Sequence, residues 1–333
     1  MRKHPSSLSP GPAALILLAF TVLFPVGRAS AVTVRDYNGD GRGDLAVYYP
    51  ASATWYLLYR EGGSSVRQWG FKGTVPVPGF YDNDNIMDLA VYDTATGDWY
   101  FQYSATQSAT KRNWGWSQTL PVPADYDGDG ITDLAVYHPP SGRWYVTYSH
   151  DGSAATCQWG FGATFPVPAD YNGDGRADLA VVNANGDWYI NYLNGTSRKV
   201  NWGWNLTYPV PGDFDGDGKA DIVSYDFKSG NWYFLYSGGG TAVKNWGFPT
   251  VWPMAGSWGD DNIDDMAVFY PPSGTWYLRY SDPTQKVEAV NWGWSETVPI
   301  DVNIFNWARL HPAPHCRSRP CSTFAAATLR RNP

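Results

Sequence analysis

Glutamate is almost missing from these 333 residues: Glu61, Glu288 and Glu296 stand against 28 aspartates. Glutamate suits a helix interior and aspartate suits turns and caps, so the imbalance argues against a helical protein. Charged residues make up only 17% of the chain and aromatic residues another 17%, which excludes a disordered, solvating chain. Cysteine is limited to Cys157, Cys316 and Cys321. Cys316 and Cys321 are placed to pair in an oxidising exterior, leaving Cys157 as a buried thiol. With an odd count, packing rather than disulfides must hold the fold together. There are five histidines and no G-x-S-x-G, H-E-x-x-H or P-loop pattern, so a hydrolase is a remote reading. An acid–base pair would have to come from scattered residues such as Asp98, Asp187 or Glu61.

Long apolar runs are also lacking. The best, 13–24, falls short of the ~20 residues that span a bilayer, so no membrane span is expected. It follows Arg2, Lys3 and His4 and precedes Ala29-Ser30-Ala31, which reads as a secretory signal cleaved after Ala31. Export to the extracellular space is therefore expected. Residues 32–301 carry sixteen basic and thirty-one acidic side chains, a net −15. Such a body repels nucleic acid and anionic membranes and attracts cations.

What the chain has in abundance is one repeated unit. Asp125-Tyr-Asp-Gly-Asp-Gly-Ile-Thr-Asp133, followed by Leu-Ala-Val-Tyr137, recurs in variant form at loops beginning with Asp36, Phe80, Asp170, Asp213 and Ser257. The loop starts lie 43 to 45 residues apart. A Trp-Tyr pair follows each (Trp55, Trp99, Trp144, Trp188, Trp232, Trp276), then a Trp-Gly (Trp69, Trp114, Trp159, Trp202, Trp246, Trp292). Every unit reads as four short strands broken by Gly, Pro, Ser and Asp clusters, with no sustained helical period. Six four-stranded units of this length predict an all-β fold, a β-propeller, over a linear β-solenoid. Odd units end Trp-Gly-Phe and even units Asn-Trp-Gly-Trp, a two-blade period that favours an even ring. The segment 297–300 repeats the first-strand pattern. It would either replace residues 32–35 in closing six blades or begin a seventh. Six is the expectation, and residues 302–333 read as a divergent, poorly ordered tail.

The nine-residue loop places short oxygen ligands at positions one, three, five and nine, with glycine at four and six to permit the turn. Calcium takes six to eight such oxygens, and three or four carboxylates without a cation would repel one another. Asp125, Asp127, Asp129, Asp133 and Asp213, Asp215, Asp217, Asp221 form complete sets. Asp36, Asn38, Asp40, Asp44 and Asp170, Asn172, Asp174, Asp178 exchange one acid for an amide. The second loop keeps Asp82, Asp84 and Asp88 behind Phe80 and should bind weakly. The sixth keeps only Asp261 and Asp265 in position and should not bind.

This Asp-x-Asp-x-Asp-Gly-x-x-Asp-Leu-Ala-Val pattern resembles the FG-GAP (VCBS-type) repeats of integrin α-subunit propellers and of many secreted bacterial proteins. The resemblance covers roughly residues 32–301. It implies a propeller with structural calcium in the hairpin between first and second strands. Seven blades are common in that family, and its members include adhesive modules and lectins.

In such a ring the Asp-rich hairpins share one face with the third-to-fourth turns. Trp116, Trp204 and Trp294 then recur at three related positions on the other face, where they either wedge adjacent blades or stack against sugars. The expected function is a secreted calcium-binding adhesion or binding module without enzymatic activity, with a cell-surface glycan as ligand. The alternative is a protein-contact or cell-surface structural module with no sugar site. Arg42-Gly43-Asp44 spells the integrin-recognition tripeptide, but Asp44 is needed at loop position nine, so the match reads as coincidence.

Overall fold

The computed structural model describes residues 35–301, except residue 206. Within them the chain forms six four-stranded antiparallel sheets, the six blades of a β-propeller, and no helix. Each blade uses the sequence as the pattern anticipates. In the second blade the inner strand is Thr74–Pro76, followed outward by Leu89–Asp93, Asp98–Gln102 and Ala109–Asn113.

Burial falls from axis to rim. The Leu-Ala-Val-Tyr strands are buried on both faces, because both faces pack against neighbouring blades. The Trp-Tyr strands alternate buried with half-buried, and the outer strands are mostly exposed. Trp55, Trp99, Trp144, Trp188 and Trp232 are completely buried, and Trp276 nearly so. The inner-strand prolines cost little, because the valine between them makes the ladder bond. Val77, Val122, Val167 and Val210 donate to the carbonyls of Ala90, Ala135, Ala180 and Val223 at 2.8–2.9 Å.

The ring closes with the two ends of the array in one blade. Val298–Pro299 pairs with Leu45–Tyr49 as the inner strand of the first blade, so the segment 297–300 completes the sixth interval and opens no seventh blade. Two tryptophan ladders then tie the blades. Each Trp-Tyr indole donates to the carbonyl of its own blade's Trp-Gly tryptophan, as Trp99 does to Trp114 at 2.7 Å. Each Trp-Gly indole donates to a tyrosine carbonyl of the next blade. The series runs from Trp69 to Tyr100 through Trp292 to Tyr56, the last bond spanning the junction of sixth and first blades. Within the second blade the chain packs closely beside Trp114: a Cβ on Gly97 would sit 2.1 Å from the carbonyl carbon of Gly115.

Cys157 lies on an outer strand and is half-buried rather than enclosed. Its strand is the blade's rim, which has no further strand to cover it. The expected signal segment, the expected tail, Cys316 and Cys321 lie outside the described residues. Among the described residues, no helix is long and apolar enough to cross a membrane.

Candidate metal centres

Five of the Asp-rich loops connect an inner to a second strand, and the first leads into Leu45–Tyr49, the second strand of its blade; in all of them the backbone fixes carboxylates before any ligand is considered. In the first loop, Asp36 accepts from the amides of Gly39 and Gly41 at 2.7 Å each, and Asp44 accepts from Tyr37 at 2.9 Å. Asp125, Asp170 and Asp213 accept from the equivalent glycine amides. Gly39 and Gly41 have φ of 83° and 85°, the left-handed region that lets the chain curl round the carboxylate.

The loops also hold one another. The position-eight amide of each donates to the position-one carbonyl of the preceding blade: Met87 to Asp36, Thr132 to Phe80, Ala177 to Asp125, Ala220 to Asp170, Asp264 to Asp213 and Gly43 to Ser257, at 2.7–2.9 Å. Six bonds make a closed belt on this face. The carbonyl needs no side chain, so Phe80 and Ser257 serve as well as aspartate.

The donor sets suit a hard cation. Ligand oxygens of Asp82, Asp84 and Asp88 lie within 4.8 Å of one another, as do those of Asp125, Asp127 and Asp133 and of Asp213, Asp215 and Asp221. Convergent carboxylate oxygens are hard donors of the kind that calcium takes. The second loop is better formed than its missing first aspartate suggests. Both carboxylate oxygens of Asp82 are buried with no hydrogen-bond partner, an arrangement that a cation would satisfy. In the first and fourth loops the amides of Asn38 and Asn172 bridge to Asp40 and Asp174, and turning the amide over would present its oxygen. Asp129 and Asp217 accept from the hydroxyls of Ser149 and Ser237.

In a cation-free loop, burial pushes Asp44, Asp178 and Asp221 up to about 7, and Asp125 and Asp133 up to about 6, with neighbouring carboxylates adding to the rise and backbone N–H donors opposing it. Position nine is held from outside the motif as well. Ser104, Ser149, Ser237 and Ser281, and Arg60 in the first blade, donate their amides to Asp88, Asp133, Asp221, Asp265 and Asp44 at 2.6–3.1 Å. Sequence reading missed these donors, although the recurrent Tyr-Ser pair after the third strand marks four of them. They put the third-to-fourth turns on the loop face.

The sixth loop is organised differently. Asp264 accepts from the Asp213 amide, and Asp260 pairs at 2.7 Å with Arg42 of the first loop. Arg42 is thus engaged, Gly43 belongs to the belt and Asp44 is 1% exposed, so the Arg-Gly-Asp tripeptide is not presented.

On the opposite face, Trp116, Trp204 and Trp294 sit edge-on against Tyr145, Tyr233 and Tyr56 of the following blade, at 4.8–5.1 Å between ring centroids. Phe71, Phe161 and Phe248 meet Tyr100, Tyr189 and Tyr277 in the same way. All six are interblade wedges. Trp204 nevertheless leaves 43% of its surface open, and Trp116 also packs on His138, whose Nε2 has no hydrogen-bond partner.

Comparison with known proteins agrees with this architecture. Family models described as FG-GAP repeat and FG-GAP-like repeat match residues 28–66 and 170–224. No curated protein matches the chain in sequence. Solved structures of similar fold include a streptogramin B lyase at TM-score 0.52 and 8% identity, covering 80% of this chain and 86% of that one. Virginiamycin B lyase from Staphylococcus aureus gives TM-score 0.52 and 8% identity over 80% and 84% of the two chains. A chain of a nidogen/laminin complex gives 0.51 and 11% over 75% and 93%. At such identities the likeness concerns the fold alone.

Proposed function

Because this chain is an FG-GAP-repeat β-propeller, we propose that it is a secreted, calcium-stabilised binding module without enzymatic activity, acting on a cell-surface glycan. The observation that carries the glycan reading is the set of three half-open indoles, Trp116, Trp204 and Trp294, at alternate blade junctions of one face. Each offers an apolar ring for the face of a sugar, with the polar rim of the next blade beside it. Three related sites on one ring, Trp204 the most open, would add avidity to weak single contacts.

Calcium in this reading is structural. Asp36, Asp40, Asp44 and their counterparts would hold it, with Asn38 and Asn172 supplying amide oxygens. The ion would neutralise the clustered carboxylates and stiffen the belt on the face away from the indoles. The loop chemistry supports this: buried, convergent carboxylates are costly unless a cation compensates them.

A fold shared with lyases does not by itself choose between binding and catalysis. The scattered acids Asp98 and Asp187 are tied down instead. Lys111 and Asn113 hold the Asp98 carboxyl below its ordinary range, and Asn201 and Asn183 do the same for Asp187. Both side chains lie in ion pairs, with Lys111 at 2.8 Å and Lys199 at 3.5 Å.

A glycan array probed with the mature chain in calcium, alongside a variant with all three indoles changed to alanine, tests the proposal. Binding by the parent and none by the folded variant is expected. No binding on a broad array would overturn the glycan reading in favour of a protein partner.

A further inference from the structure

On the propeller axis, where the inner strands run into the Asp-rich loops, lies a cavity of about 200 Å³. Six equivalent chain positions ring it: Pro78, Pro123, Pro168, Pro211, Ala255 and Asp301. The repeat therefore supplies proline four times and alanine once, and the first blade breaks the pattern with an acid. A second break faces it. Arg35 also lines the cavity, at the position where the other blades carry glycine or alanine before the loop. Its guanidinium donates to the Ala255 carbonyl at 2.7 Å and pairs with Asp301 at 3.1 Å. The two side chains are only 13% and 12% exposed.

Holding the last strand does not require this pair. Val298 and Pro299 already pair with Tyr48 and Val47, and the Ile300 amide donates to Ala46. A desolvated ion pair is often no more stabilising than apolar residues of the same size, and five blades close this position without one. The charges are better explained by what they can meet.

We propose that the cavity binds a small zwitterion, a free α-amino acid with an apolar side chain. The ligand carboxylate faces Arg35, its ammonium faces Asp301, and its side chain lies against the proline ring and Met87. Both partners are neutral overall, so no net charge is buried. The guanidinium carries five N–H donors, enough to keep Asp301 and the Ala255 carbonyl while meeting a ligand carboxylate. Size sets the class: the space lies below the ~300–1,000 Å³ of pockets for larger ligands. A peptide or oligosaccharide would extend beyond it. Met87 both lines the cavity and donates its amide to the belt, which places the site beside the metal loops.

Isothermal titration of the full chain in calcium, with leucine, N-acetyl-leucine and leucinamide, tests the assignment. Leucine should bind, and each blocked derivative should bind at least about tenfold more weakly, since each loses one charge contact. Asp301→Asn should erase the preference over N-acetyl-leucine, and Arg35→Gln the preference over leucinamide. Ala255→Leu keeps both charges and should exclude the ligand by bulk. The wild-type comparison decides the matter even where a charge variant fails to fold. Failure of any free amino acid to bind, or equal binding of leucine and its blocked forms, would overturn the proposal.

Discussion

The amide of Gly43 donates to the carbonyl of Ser257 at 2.9 Å, joining the first Asp-rich loop to the last. This bond completes the belt of six, and the geometry admits no side chain there. A Cβ on Gly43 would lie 2.4 Å from the Ser257 oxygen, and that oxygen is backbone that cannot swing aside. Gly43→Ala should therefore destabilise the ring by roughly 1–3 kcal/mol, as overpacking does. Urea unfolding checks this, and an unchanged midpoint would mean that the belt yields freely.

The same junction is the one that carries ion pairs between blades among the described residues. Arg60 reaches Glu288 of the sixth blade at 3.0 Å, and Arg42 reaches Asp260. Burial pushes the Glu288 carboxyl up, but the Arg60 guanidinium and the Tyr280 hydroxyl outweigh it and hold the group at about 2. A carboxyl depressed by folding contributes stability above its ordinary value of 4.5, and the contribution is lost as pH falls toward 2. Arg60→Ala should cost about 1 kcal/mol at neutral pH, a modest figure because the pair is partly solvated. The difference from wild type should shrink in acid. Equal melting temperatures at neutral pH would show that hydrogen bonds and packing alone hold this seam.

Metal removal should reverse the pH dependence of the loops. Without a cation, carboxyls such as Asp44, Asp178 and Asp221 sit near 7, so the folded chain binds more protons than the unfolded one between about pH 4 and 7. Stability of the chelated protein should fall as pH rises through that window. With calcium bound the carboxylates stay ionised, and stability should instead fall as the solution is acidified. Melting curves at several pH values, with EDTA and with calcium, read the two slopes. Parallel slopes would contradict the assignment.

Much of this architecture was legible in the sequence because the repeat writes each element six times. The alternation of Trp-Gly-Phe with Asn-Trp-Gly-Trp pointed to an even ring, and Val298–Pro299 supplies the closure that a six-blade ring requires. The loop carboxylates were legible for the same reason, since Asp125, Asp127 and Asp133 converge as their spacing implies. What stayed hidden depends on backbone groups or on breaks in the pattern. The belt uses carbonyls, which leave no mark on side-chain identity. The second loop reads as weak because Phe80 replaces an acid, and the sequence does not show that the carboxylate oxygens of Asp82 are enclosed. Trp116, Trp204 and Trp294 looked like ligand platforms, but their contacts with Tyr145, Tyr233 and Tyr56 also make them wedges. The wedge contacts arise between neighbouring blades, which a repeat read by itself does not place side by side.

The proposed structural calcium is tested most directly by a calcium titration followed by thermal melting of the folded chain. Affinities of about 0.1–1 mM are expected for extracellular sites of this kind. The account predicts a melting temperature that drops on chelation and recovers with calcium, with Asp133→Asn and Asp221→Asn each weakening the recovery. A chelated protein that melts where the calcium-loaded one does would contradict it.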